Sequence, residues 1–121
     1  MILSKNLNSS ETACKCGCGF GDTFGLIDPQ LVIGFQVLRD TLGTPLHINS
    51  GARCFKHNQK IGGSQNSQHL LGKALDVRSD IYTPSEVAAF ASQIPIFYNG
   101  GIGTYKTFVH LDTGNKRRWK G

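Results

Sequence analysis

The sequence predicts an α+β fold: a small, largely antiparallel sheet with helices packed on one face. Two observations predict it. One segment, 28–43, carries helix start and stop signals around an apolar stripe. Several short stretches alternate apolar and polar residues with the period of a strand. Read in order, the elements run helix, strand, loop, strand, helix, strand, strand. At 121 residues the chain is expected to form one domain, 1–121, with an irregular Cys-containing arm over 1–27 and a core over 28–121.

The arm is polar and Gly-rich, and no period stands out in it. The first helix then starts sharply, with Asp28 as N-cap and Pro29 at the first helical position. Leu31, Phe35, Leu38 and Leu42 recur at helical spacing, and Gly43 ends the helix. Residues 45–49 read as a short strand and 55–60 as a helical turn or two. Residues 73–78 alternate again. Thr83 and Glu86 form a capping box for a second helix through Val87, Phe90 and Ala91, which ends before Pro95. Asn99-Gly100-Gly101 is a turn, and strands follow over 102–105 and 108–112.

Composition excludes several classes. Apolar residues make up 39% and charged residues 17%, the balance of a folded globular chain. No apolar run is long enough to span a membrane, and residues 1–10 lack the apolar stretch of a secretory signal. The expected location is therefore the cytoplasm until release by lysis, or a virion. The net charge of +5 gathers late, in Lys116, Arg117, Arg118 and Lys120, read as a solvated basic tail or a patch for an anionic polymer. Cys14, Cys16, Cys18 and Cys54 leave three readings open: a disulfide to Cys54, a structural zinc on several thiolates, or free thiols.

Strand alternation places the chemistry. In 108–112, Val109 and Leu111 take the core face, so Phe108, His110 and Asp112 take the other. In 74–78, Leu75 and Val77 point to the core, and Asp76 points away with Ala74 and Arg78. His69 lies seven residues before Asp76, and Gly72 lets the chain turn between them. Two imidazoles and a carboxylate form a known catalytic zinc set that keeps one position open.

Ser67-x-His69-x-x-Gly72-x-Ala74-x-Asp76, followed by Phe108-Val109-His110-Leu111-Asp112, resembles the zinc D-alanyl-D-alanine carboxypeptidase family and its endopeptidase and phage-lysin relatives, which share the hedgehog-type fold. Ser50-Gly51-Ala52-Arg53, His57-Asn58, Gly62-Gly63, Gly100-Gly101-Ile102-Gly103 and Arg118-Trp119 extend the resemblance over roughly 28–119. It implies one catalytic zinc on His69, Asp76 and His110, with Arg53 holding a substrate carboxylate and Ser67 beside the metal or peptide. It implies peptidoglycan peptide as substrate, cut by a carboxypeptidase or endopeptidase. Many relatives carry the base carboxylate three residues before the last histidine. Here that residue is Thr107. Asp112 is therefore expected to act as the base, or else to orient a ligand histidine. His47 could line the groove, though a surface or structural role is expected for His47 and His57 alike. A non-catalytic binding module on the same fold is the alternative. A nucleic-acid partner is disfavoured, because it leaves the His–Asp–His pattern unexplained.

Overall fold

A computed structural model describes residues Met1 to Gly121. In chain order the elements are β1 (Ile2–Ser4), β2 (Leu7–Asn8), α1 (Ser9–Thr12), α2 (Pro29–Leu42), β3 (Leu46–Ser50), α3 (Phe55–Lys60), a 3-10 turn (Gln68–Leu71), β4 (Ala74–Ser79), α4 (Pro84–Ala91), α5 (Pro95–Tyr98), β5 (Gly101–Thr104), β6 (Val109–Asp112) and β7 (Arg117–Lys120). Five strands form one sheet in the order β3-β4-β6-β5-β7. Every pairing is antiparallel except β5 with β7.

The α2 helix forms for the reasons its sequence carries. The Gln30 N–H donates to the Asp28 carboxylate, Pro29 opens the helix, and Gly43 closes it at a left-handed φ of 65°. The second Asp28 oxygen accepts from the Thr113 hydroxyl at 2.7 Å, which ties the start of the helix to the loop after β6. Leu31, Phe35, Leu38 and Leu42 are buried against Leu75, Val77, Val109 and Leu111 of the sheet and Val87 and Ala91 of α4, in one apolar cluster. The predicted strand faces are therefore the observed ones, and the polar face of β4 and β6 is left for other work.

Three features differ from the sequence reading. The arm is not irregular throughout: β1 pairs with β2, and an Asn8–Glu11 capping box opens α1. Leu7 joins the core, and the Gln36 side chain on α2 accepts from the Ser4 hydroxyl at 2.7 Å and the Asn6 N–H at 2.9 Å. A further short helix, α5, follows α4. Residues 117–120 are not a free basic tail but a parallel edge strand. There Arg118 donates to the Gly100 and Tyr98 carbonyls, each at 2.8 Å. No helix is long and apolar enough to cross a membrane.

The α2 stripe gives a direct test. Leu38 is fully buried and Ile33, on the same helix, is half exposed. Leu38→Ala is expected to cost about 2–5 kcal/mol in urea unfolding, and Ile33→Ala no more than about 0.5 kcal/mol.

Candidate metal centre

The antiparallel register of β4 and β6 sets Asp76 directly opposite His110. Facing residues on one side of such a pair come close enough to touch. The third residue arrives from the 3-10 turn. The Ser67 hydroxyl accepts from the His69 N–H at 3.2 Å, and Gly72 turns the chain back into β4 with a φ of 67°. His69, Asp76 and His110 are 2%, 6% and 8% exposed. Their candidate donor atoms all lie within 4.8 Å of one another.

The hydrogen bonds select one nitrogen of each ring. His69 Nδ1 lies 2.6 Å from the Gly51 carbonyl, which can only accept, so this nitrogen carries a proton. Its Nε2 then faces Asp76 Oδ1 at 3.2 Å. His110 Nε2 lies 2.7 Å from Asp112 Oδ2, and its Nδ1 lies 3.1 Å from the same Asp76 oxygen. His110 thus meets a carboxylate at both nitrogens, an environment that a neutral ring cannot satisfy. A cation between Nδ1 and Asp76 resolves it, and so does a second proton. The donor set and the fixed tautomers therefore fit a divalent metal ion on His69 Nε2, Asp76 and His110 Nδ1.

The charge balance agrees. Burial would raise the Asp76 pKa, but hydrogen bonds from His110 and His69 outweigh it and bring the pKa down to about 2. Burial would lower that of His110, yet the bonds to Asp112 and Asp76 raise it above the ordinary histidine value. Asp112 shows the same competition. Burial pushes its carboxyl up, and His110, the Gly114 N–H and Arg117 hold it below the usual range.

Asp112 lies next to the ligand, as expected, but it does not reach the groove. It is completely buried. Oδ1 accepts from the Gly101 and Gly114 N–H groups at 3.0 and 2.9 Å. Oδ2 accepts from His110 and from Arg117, both at 2.7 Å. A Cβ at position 101 would overlap this carboxylate, so glycine is required there. With no exposed oxygen, Asp112 is placed to orient His110 and not to take a proton from water, which corrects its expected use as base.

A groove of about 690 Å³ opens above the donor set. Arg53 lines it, with Nε donating to Ser50 Oγ and Nη1 to Asn58 Oδ1, both at 3.1 Å. Asn58 in turn donates to the Ser64 carbonyl at 2.9 Å. Nη2 reaches Asp76 only at 3.4 Å. Ser67 and Gln68 also line the groove. On the far side Tyr105 stacks on Phe108 with ring centres 4.5 Å apart and accepts from the Trp119 indole N–H at 2.9 Å. Trp119 is seated over Gly103, where a Cβ would overlap the indole. Strand alternation does not indicate Asn58, Gly51 or Arg117. Their signals are a side chain on a short helix, a bare carbonyl and a residue in an unrecognised strand. His47 is not at the groove; it pairs with Asp80 at 2.7 Å on the surface. His57 lies beside the Cys cluster. Thr107 is exposed in the turn between β5 and β6. Asp76 is the one carboxylate residue lining the groove.

Two histidines and a carboxylate at the floor of an open groove are the arrangement of a mononuclear metallohydrolase. The chain belongs to the peptidase M15 family, whose model matches residues 4–112. It is 33% identical over 105 residues to the probable peptidoglycan L,D-endopeptidase MepK of Haemophilus influenzae, covering 78% of this chain and 55% of that protein. It is 32% identical over 102 residues to the peptidoglycan L,D-endopeptidase MepK of Escherichia coli strain K12, covering 77% of this chain and 54% of that protein. The chain therefore spans about half the length of these curated relatives.

Two outcomes follow for metal binding. Asp112→Asn keeps the shape but weakens the acceptor for His110 Nε2–H, and titration calorimetry is expected to show about a 10- to 100-fold loss of metal affinity. Protons compete with the metal at His110 Nδ1. Because the His110 pKa is raised, affinity is expected to start falling, as the pH is lowered, at a higher pH than an ordinary histidine would set, by about tenfold per pH unit where binding displaces one proton.

Proposed function

We propose that the chain is a zinc-dependent hydrolase of peptidoglycan peptides, acting as a carboxypeptidase or an endopeptidase. The observation that carries this reading is the buried His69–Asp76–His110 set with its two tautomers fixed, lying beneath a groove that also holds Arg53. The names of the curated relatives supply the substrate class. Zinc at such a set supplies Lewis-acid polarisation of a peptide carbonyl and lowers the pKa of water.

The residues of the chain divide the remaining work. His69 and His110 are held in orientation by the Gly51 carbonyl and by Asp112. Arg53 is anchored through Nε to Ser50 and through Nη1 to Asn58, and it presents Nη2, 3.4 Å from Asp76, to the groove, where it can pair with a substrate carboxylate. Tyr105, Phe108 and Trp119 line the groove and offer aromatic surface against which a peptide can lie. Ser67 serves the turn that carries His69.

A second reading has one observation in its favour. The groove contains no carboxylate besides Asp76, and a metallopeptidase needs a group to accept the proton of water. A binding module on the same scaffold would hold wall peptide without cutting it.

Digestion of purified muropeptides by the zinc-loaded chain separates the two. Hydrolysis that stops in chelator and returns with zinc supports the enzyme. Retention on wall sacculi with no released product supports the binding module. For the enzyme, Arg53→Ala is expected to lower kcat/KM by about ten- to hundredfold with the zinc content unchanged, the loss of a hydrogen-bonded charge pair.

A further inference from the structure

The arm carries a second set of soft donors, separate from the groove. The sulfurs of Cys14, Cys16, Cys18 and Cys54 all lie within 4.8 Å of one another, and all four thiols are free. Cys14 Sγ and Cys16 Sγ are 3.5 Å apart, and Cys16 Sγ and Cys54 Sγ are 3.6 Å apart. Four sulfurs about 2.3 Å from one tetrahedral ion stand a little under 4 Å from each other. The spacing therefore suits a shared ion, and none of the four is spent in a disulfide.

The backbone is shaped for the cluster. Gly17 and Gly19 take φ values of 82° and 96°, which curl residues 14–18 so that three sulfurs point to one place. Backbone N–H groups donate to the sulfurs: Cys54 to Cys14 at 3.3 Å, His57 to Cys54 at 3.3 Å, and Phe20 to Cys18 at 3.5 Å. Such donors stabilise thiolate charge. Lys15, Lys56 and Lys60 line the depression around Cys16, Cys18 and Cys54. They offset the net negative charge that four thiolates around a divalent ion would carry.

We propose that Cys14, Cys16, Cys18 and Cys54 form a tetrathiolate site for a structural zinc ion that clamps the N-terminal arm to the segment entering α3. Four thiolates in closed tetrahedral coordination suit zinc and leave no position for water. The clamp acts next to the groove. Cys54 follows Arg53, and the Ala52 N–H donates to the Thr12 carbonyl at 2.9 Å. Gly51 packs so closely on Thr12 that a Cβ would lie 2.6 Å from its carbonyl oxygen. The Gly51 carbonyl is the group that fixes His69. The ion therefore holds together the backbone that presents Arg53 and orients a groove histidine.

Metal content of the purified full chain, measured by plasma mass spectrometry, tests the site. The wild type is expected to hold two zinc ions. The Cys16→Ser/Cys18→Ser variant, altered at two exposed positions, should hold one, and so should His69→Ala/His110→Ala. Cobalt substitution of the unaltered chain gives a readout that needs no variant. A thiolate-to-cobalt charge-transfer band is expected, retained in the histidine variant and lost in the cysteine variant. One zinc in the wild type with no such band would overturn the proposal, as would a disulfide to Cys54 found by peptide mapping of the chain purified without reductant.

Discussion

The constraint on which the rest of the site depends is a single carboxylate oxygen shared by two imidazoles. Asp76 Oδ1 lies 3.2 Å from His69 Nε2 and 3.1 Å from His110 Nδ1. Each ring is locked from its far side, by a backbone carbonyl in one case and a buried carboxylate in the other. Buried polar groups without partners cost free energy, and here no buried side-chain nitrogen or oxygen lacks one. The arrangement is satisfied without a metal only by extra protons. A divalent ion would replace them with little need to move a side chain, because the orienting groups already stand in place.

The fold serves this constraint through the sheet. The register of β4 and β6 makes Asp76 and His110 a cross-strand pair, while the residues between them pack on α2 and α4. Two glycines of β5 clear the space on either side. At 101 the missing Cβ admits Asp112, and at 103 it admits Trp119. The edge strand β7 then brings Arg117 onto Asp112 and Trp119 beside Tyr105. Substituting either glycine would disturb the site through its supports, without touching a donor atom.

Much of this was legible in the chain. The α2 stripe, its caps and the two-faced alternation of β4 and β6 all depend on local patterns, so the core and the polar face taken by Asp76 and His110 follow from periodicity, while their cross-strand register is long-range and does not. His69 needed the resemblance of the surrounding motif, since a residue on a 3-10 turn has no strand or helix period to read. Asp112 was placed on the correct strand face but read as open to the groove. Alternation tells which side a residue takes, not whether a neighbouring strand has a glycine against which its carboxylate can be buried. β7 was missed because Arg117-Arg118-Trp119-Lys120 is short and charged, and its pairing with β5 is long-range. The hairpin of the arm was missed because its strands are three and two residues long.

The central claim is specific to atoms. A crystal structure of the zinc-loaded chain, with the ion located by anomalous scattering, tests it most directly. The account predicts density bonded to His69 Nε2, the Asp76 carboxylate and His110 Nδ1, with His110 Nε2 still on Asp112. An ion held through His110 Nε2, or one bound in the groove away from Asp76, would contradict it.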